Sequence, residues 1–567
     1  MPALTPSTPR QQTAMPSPHA TRSTWAWAPT ALAMAVLGAP AWAQTVPGAG
    51  RLLEETRRNN TPALPAAPLP RLIEAPVRPT VTMPEGVKVT VTGFRISGAA
   101  SFPLEELEAL VKPWVGKSLD IAGLNEAAGA LTRHYQSNGH MLSYAYLPAQ
   151  RVADGVIELA VLEGRLEGVQ IVSAQDARLR DEVVQAHTES LATPGPLLQS
   201  KVERQLLLLN DIPGVTARAA FTPGASTGAS DMVVSVAEDE PLVVRGEINN
   251  HGTESTGKYR IGVDAELRDL FGWGDNTTMH ILASNKGSLI SGSLGASVPL
   301  GGDGFRLGAS LSHLTYELAG SFKQLGAVGS ADVLGMQASY PLRRTLDSNL
   351  GLKAGFEHRR LSDELQLLGT ITQKRNNVAD LSAGFDARDD FGGASGGSAT
   401  LSFGNLEQSG VGTRWRKLGV QVARQQAVAG PFSLYGRLAG QYTGSNLDSS
   451  DKFGLGGPGG VRAYESGRAS VDVGSLFSFE ARYGHDLLGG GVVASIFYDQ
   501  GNGRVNRTPL PAVTDNTVKL SGAGLGLSWS GGGIGVNASV AWRGQNGALL
   551  DATDSQPRFY FQMLVTP

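Results

Sequence analysis

From about residue 241 to residue 567, apolar and polar side chains take turns, and this alternation constrains the fold more than any other feature of the chain. Phe432, Leu434, Leu438 and Tyr442 alternate with Ser433, Arg437, Gln441 and Thr443. Ile534, Val536, Ala538, Val540 and Trp542 alternate with Gly535, Asn537, Ser539 and Arg543. A period of two puts successive side chains on opposite faces of a strand. Turn clusters such as Gly301-Gly302-Asp303-Gly304 separate these segments, and glycine is abundant, at 72 of 567 residues. That is roughly twice its usual share. A soluble all-β domain shows similar alternation. Here it follows an export leader and runs for 327 residues rich in glycine and aromatics, which favours an apolar-out, polar-in transmembrane barrel. At about 20 residues per strand with its connection, the segment predicts roughly 16 strands.

The leader occupies residues 1–43. It contains Arg10 and Arg22, no acid and no lysine, then an apolar stretch from Ala31 to Ala39, then Ala41-Trp42-Ala43 before Gln44. This is a signal peptide with an A-x-A cleavage site. The apolar stretch is too short to be an anchor, which needs about 20 residues. Losing the two arginines takes the formal charge from −3 to −5. Nothing after the leader approaches 18 consecutive apolar residues.

Between leader and barrel the text reads differently. Arg51 to Arg58 is a short polar helix candidate, and residues 44–60 form an N-terminal helical segment. Residues 61–86 carry prolines at 62, 65, 68, 70, 76, 79 and 84, a density that dictates an extended tether. Residues 87–164 predict a β-α-α-β-β module. A strand runs from Val87 through Val91 to Ile96, and Leu104, Leu107 and Leu110 mark a first helix. Leu124, Ala128, Leu131 and Tyr135 form the stripe of a second, and two strands follow, joined through Asp154-Gly155. Residues 165–240 repeat the order, with Val202, Leu206 and Leu209 on the second helix and a closing hairpin through Phe221-Thr222-Pro223-Gly224.

Two charged residues stand apart. The loop Leu455-Gly456-Gly457-Pro458-Gly459-Gly460-Val461-Arg462-Ala463-Tyr464 carries one arginine between strand-like segments. Phe497-Tyr498-Asp499-Gln500-Gly501 carries one carboxylate inside a strand that otherwise reads as membrane-embedded. A lone charge is costly there unless it faces a lumen and finds a partner. Arg462 and Asp499 are the natural pair; spacing alone favours two surface charges that never touch, and the barrel reading of the rest of the chain reverses that.

Composition and motifs exclude several functions. With no cysteine there is no thiolate nucleophile and no Cys-based metal site. The near-balanced charge gives no footprint for nucleic acid. No histidine or acidic cluster has metal spacing, and no cofactor site is predicted. Gly224-Ala225-Ser226-Thr227-Gly228 and Gly393-Ala394-Ser395-Gly396-Gly397 match a nucleophile elbow in letters only. Such an elbow needs a strand before it and a helix after it, and both read as turns. Gly116-Lys117-Ser118 has Val111 where a phosphate loop needs its first glycine. The chain does not read as an enzyme.

The mature chain resembles the two-partner secretion transporters of Gram-negative outer membranes, the TpsB family of haemolysin-activation and filamentous-haemagglutinin exporters. Val91-Thr92-Gly93-Phe94-Arg95-Ile96-Ser97-Gly98, Tyr144-Ala145-Tyr146-Leu147-Pro148-Ala149-Gln150, Asp154-Gly155-Val156-Ile157 and Glu163-Gly164 are similar to the family's first POTRA domain. Leu209-Asn210-Asp211-Ile212-Pro213-Gly214-Val215 is similar to its second. Leu270-Phe271-Gly272-Trp273-Gly274-Asp275 and Ser339-Tyr340-Pro341-Leu342 are similar to its early barrel strands. The family's loop motif, V-R-G-Y/F, is met by Val461, Arg462 and Tyr464, with Ala463 in place of glycine. Its strand motif, F-x-D-x-G, is met by Phe497, Asp499 and Gly501. Related barrels usually end on an aromatic, whereas this chain ends Leu564-Val565-Thr566-Pro567.

The resemblance implies α+β periplasmic modules, POTRA 1 over 87–164 and POTRA 2 over 165–240, followed by a 16-stranded barrel over 241–567. It implies a passive outer-membrane pore, active as a monomer among outer-membrane lipids. The pore takes an unfolded, large secreted exoprotein through the POTRA domains to the cell surface. It places the 44–60 helix as a plug in the lumen and the loop inside the barrel, Arg462 bound to Asp499. The alternatives are a barrel-assembly factor of the same superfamily, whose members carry more POTRA repeats, and an outer-membrane porin or lipase.

Overall fold

The computed structural model describes residues 46–57, 72–73, 88–175, 177–192, 195–511, 516–544 and 556–567. The leader lies outside the described residues, as does most of the proline-rich tether. No helix among the described residues is long and apolar enough to cross a membrane.

The first module is a three-stranded sheet under two helices. Gly93–Ser97 pairs in parallel with Val156–Leu162, which pairs on its other side with antiparallel Tyr144–Tyr146. Helices Leu104–Val111 and Ile121–Ser137 cover one face, and Asp120 caps the second by accepting from the Gly123 N–H at 2.9 Å. Leu107, Leu131, Tyr135, Ile157 and Leu159 form the core. The strand expected from Val87 to Ile96 is in fact broken. Val89–Thr90 pairs with Ser118–Leu119, Val91 drops into the core, and Gly93 starts the sheet strand. Val89, partly buried, packs against the same core that Val91 enters fully. Glu163 closes the module. It accepts from the N–H groups of Ala100 and Ser101 at 2.7 Å and from the Tyr135 hydroxyl at 2.9 Å. Burial pushes the Glu163 carboxyl up, but these donors outweigh it and hold the group below its ordinary value.

The second module has the same order. Strands Arg165–Ser173, Ala229–Glu238 and Val215–Pro223 form the sheet, with Ala229–Glu238 central. Helices Asp181–Glu189 and Gln199–Asn210 pack Val184, Val202, Leu206 and Leu209 against Ala217, Met232 and Val234. Ser226, in the first G-x-S-x-G match, sits in the exposed turn of the hairpin and donates to Glu167 at 2.7 Å.

From Leu242 onward the chain is a closed barrel of 16 strands, each antiparallel to its neighbours. The last strand, Arg558–Val565, pairs with the first, Leu242–Asn249, in the register Gln562 to Asn249 and Val565 to Gly246. Closure leaves no unpaired edge in lipid. The face rule holds where it can be read most sharply: Ile496 and Tyr498 are 66% and 42% exposed, while Phe497 and Asp499 are 2% and 0%. Two local expectations fail. Leu270–Asp275 is a turn between strands Arg260–Arg268 and Asn276–Ser284, closed by Asp275 accepting from the N–H groups of Leu270 and Phe271. Gly393–Gly397 is no turn but the start of strand Gly393–Gln408. The glycines there make room for a neighbour, since a Cβ on Gly397 would lie 2.8 Å from the ring of Phe385.

Candidate functional site

The segment from Gly444 to Asp472 joins two barrel strands and folds back into the lumen. Its stem is a short pair, Phe453–Gly454 with Ser470–Val471. Above the stem the chain coils tightly. Val461 N–H donates to the Leu455 carbonyl at 2.7 Å and Gly457 N–H to the Tyr464 carbonyl at 3.0 Å. Glycine is required at 460, where a Cβ would lie 2.3 Å from the Leu455 carbonyl oxygen. Leu455, Val461, Ala463 and Tyr464 are all buried, so the loop tip packs like a core inside the barrel.

Arg462 lies at the centre of this packing. Its Nε donates to Asp499 Oδ2 and its Nη2 to Asp499 Oδ1, both at 2.8 Å, a two-pronged match. Its own backbone N–H donates to Asp499 Oδ2 at 3.1 Å, and its Nη1 to Glu480 Oε1 at 2.8 Å. The guanidinium lies 3.4 Å above the Phe497 ring. Ser478 donates to Asp499 at 2.5 Å, and Arg482 holds the other oxygen of Glu480 at 2.8 Å. The structure thus brings together Arg462, Asp499 and Phe497. Gly501 faces the loop as well, since a Cβ there would lie 3.2 Å from the Val461 side chain.

Ala463, the departure from the family's glycine, has an explanation in its neighbour. It is 1% exposed, and a Cβ on Gly522 would stand 2.5 Å from the Ala463 methyl. The barrel wall leaves out a side chain at Gly522, and the Ala463 methyl fills that space. Tyr464 is clamped by the end of the barrel. Its carbonyl accepts from the Tyr560 hydroxyl at 2.8 Å, and the Arg543 guanidinium lies 4.8 Å from its ring. Glu480, Ser478, Gly522, Arg543 and Tyr560 were not singled out from sequence. Their strands alternate, so each was readable as lumenal, but nothing local says that a loop would meet them.

A second cluster anchors the base of the loop. Asp451, 1% exposed, accepts from Arg359 Nη1 at 3.0 Å and from Asn376 Nδ2 at 2.7 Å, with Lys417 Nζ 3.6 Å away. Arg359 also donates to Glu357, and Glu357 accepts from Arg57 at 2.9 Å. Arg57 ends helix Ala49–Arg57, which lies inside the barrel. Leu52 and Leu53 pack on Leu282, Leu314, Leu361 and their neighbours on the lumenal wall, and the Ala49 N–H donates to Asp363 at 2.6 Å. Gly50 and Gly467 mark the close approach of helix and loop, since a Cβ on Gly50 would meet Ser450 at 2.8 Å and one on Gly467 would meet Glu55 at 1.9 Å. Helix, wall and loop are therefore tied by one chain of charges, Arg57–Glu357–Arg359–Asp451. Between them remains a cavity of about 610 Å³ lined by Gln337, Thr400, Gln421 and Gln441 among others.

The sheets of the two N-terminal modules present edges. Gly93–Ser97 is one. Val215–Pro223 is another, and it already carries a guest: the Ala219 N–H donates to the Leu72 carbonyl at 2.9 Å, and Ile73 bridges Ala219 in parallel. Leu72, part of the proline-rich tether, is buried in the second module's core.

Residues 228–529 match the profile described as haemolysin secretion/activation protein ShlB/FhaC/HecB, and residues 89–164 match the ShlB-type POTRA domain. The chain belongs to this haemolysin secretion/activation family. It is 28% identical over 480 residues to the heme/hemopexin transporter protein HuxB of Haemophilus influenzae, covering 82% of this chain and 84% of that one. It is 24% identical over 444 residues to the outer membrane transporter CdiB of Escherichia coli, covering 73% and 72%. The solved CdiB from Escherichia coli superposes with a TM-score of 0.66 at 20% identity, covering 87% of this chain and 93% of that chain, which shows the shared fold. The chain is a two-partner secretion transporter of the outer membrane, with a periplasmic POTRA domain and a pore that works with a partner exoprotein.

Proposed function

We propose that the pore is closed at rest by helix Ala49–Arg57 and the loop tip, and that client capture at the POTRA sheets opens it. The observation that carries this reading is the double occupancy of the lumen, tied by Arg57–Glu357–Arg359–Asp451. Residues 165–240 act as a second POTRA domain. An extended client adds a strand to a sheet edge, where backbone bonding accepts many sequences. At Val215–Pro223 it competes with Leu72–Ile73, so binding tugs on the tether that leads to the helix. Arg462 and Asp499 hold the loop tip against the wall. Export is passive and non-catalytic, by a single barrel in outer-membrane lipid. The cavity mixes charged groups of both signs, such as Arg57, Glu357, Lys417 and Asp451, with neutral Gln337, Gln421 and Gln441, a hydrated polar lining for a passing chain.

The experiment is export of the partner exoprotein, identified as the large secreted protein that leaves the medium when this chain is deleted. Cross-linking residue 52 to residue 314 through a cysteine pair should stop export, and reduction should restore it. Unchanged export with the helix locked in place would refute the plug.

A further inference from the structure

The outer wall of the barrel carries a polar strip. Arg359 faces the lumen, so Arg360 faces out. Arg375 lies between lumenal Lys374 and Asn376, and Arg414 and Arg416 flank buried Trp415, so these three face out as well and all are exposed. Beside them His313 pairs with Asp332 at 2.7 Å, both more than half exposed, and Arg360 Nε lies 3.3 Å from His358 Nε2. In the ladder Asp332 stands opposite Arg360, Arg360 opposite Arg375, and Arg375 opposite Glu407. Among the described residues the ion pairs of these strands are His313–Asp332 outside, Arg57–Glu357, Arg359–Glu357, Arg359–Asp451, Lys374–Asp448 and Lys417–Asp451 inside, and Arg344–Asp211 and Arg424–Asp389 toward the other end of the barrel. None of them takes up the four outward arginines.

Two observations point to a ligand. First, like charges directly opposite on neighbouring strands destabilise a sheet; Arg360 faces Arg375, and among the described residues neither forms an ion pair, with Asp332 and Glu407 one strand further out on either side. An anion between them removes the penalty. Second, a groove of about 610 Å³ runs down the wall beside the strip. Gly292 opens it, flanked by Ile281, Leu294, Leu311 and Leu334, and it ends at His313, His358 and Arg360. The level fits a headgroup. Ten residues separate outward Leu350 from Arg360, about 25 Å at a 40° tilt, the height of the apolar band.

We propose that this strip and groove bind a phosphorylated, multiply acylated glycolipid of the outer leaflet, its phosphate between Arg360 and Arg375 and one acyl chain over Gly292. A single-chain soluble phosphate would leave the groove unused.

The test uses the full mature chain, extracted in mild detergent and stripped of lipid. The probes are a bis-phosphorylated outer-leaflet glycolipid, its dephosphorylated form, and phosphatidylglycerol, each read by native mass spectrometry and thermal melting. The phosphorylated glycolipid should be retained and should raise the melting temperature, the other two much less. Each of Arg360→Gln and Arg375→Gln should weaken retention about tenfold. The lipid-free double variant should melt no lower than wild type, because a repulsion has gone. Gly292→Phe should reduce retention with the arginines intact, and it should fold, because a Cβ there meets nothing closer than 4.0 Å. Equal stabilisation by phosphatidylglycerol or by the dephosphorylated form overturns the proposal, as does wild-type retention by the double variant.

Discussion

Replacing Asp499 by alanine removes a carboxylate with no solvent exposure and four donors: the Arg462 N–H, Nε and Nη2, and the Ser478 hydroxyl. Taking one partner from a buried pair costs about 3–5 kcal/mol, because the other charge is stranded. Arg462 still has Glu480 at 2.8 Å and the Phe497 ring at 3.4 Å. The cost should therefore fall at the low end, about 3 kcal/mol, or about a hundredfold in the balance between docked and released loop. Arg462→Ala should cost more, since it leaves the buried Asp499 with no cation, only the Ser478 hydroxyl and the backbone N–H of residue 462, and leaves Glu480 with Arg482 alone. The native chain has no cysteine, so Ser466→Cys gives a clean reporter on the loop. An impermeant thiol reagent added from outside should label it about a hundredfold faster in the Asp499→Ala background. The Arg462→Ala, Asp499→Ala double variant should be little worse than Arg462→Ala, as both remove one interaction. Losses that simply add would show that the two residues act separately, and unchanged labelling would show that the pair does not hold the loop.

Deleting residues 44–60 should raise single-channel conductance in planar bilayers, and a conductance equal to wild type would rule out a plug. Asp451→Asn leaves Asn376 a neutral partner but takes the charge from Arg359 and Lys417; open events should rise about tenfold, and a channel as quiet as wild type would count against the relay. The fragment 87–240 should be soluble. The Glu163 carboxyl is held low when folded, so its contribution is present above the unfolded value near 4.3 and is lost as pH falls through the lower folded value. Glu163→Gln should flatten the acid limb of its stability curve, and an identical limb in both would refute that assignment. Mass spectrometry of the mature chain should find Gln44 first; retained Trp25 to Ala43 would remove the cleavage site.

Much of the architecture is legible because its signals are local. Period two names the lumenal face of each strand, so Asp499 faces inward on the evidence of Ile496 and Tyr498 alone. The helical stripes of Leu124 to Tyr135 and Val202 to Leu209 lie within single elements. What fails is local text with a distant cause. Glycine and serine at 393–397 read as a turn, but the glycines clear space for Phe385 on the next strand. Val91 sits in a good strand pattern, yet core packing breaks the strand beside it.

The site divides the same way. Arg462 and Asp499 stand out because each is a lone charge in an apolar or glycine-rich setting, and such a charge advertises its need for a partner. Glu480, Arg543 and Tyr560 advertise nothing, since polar residues at lumenal positions are what any barrel shows. They become specific only when the loop arrives. Ala463 makes the point most sharply. Read in the chain it is a defect in a glycine motif, and the expected cost is strained backbone. In the fold it has no positive φ and its methyl fills the space above Gly522. The backbone at 463 therefore needs no glycine; the wall at 522 does. Gly522→Ala should release the loop in this chain, and pairing it with Ala463→Gly should restore docking, a compensation that a backbone role for residue 463 would not produce.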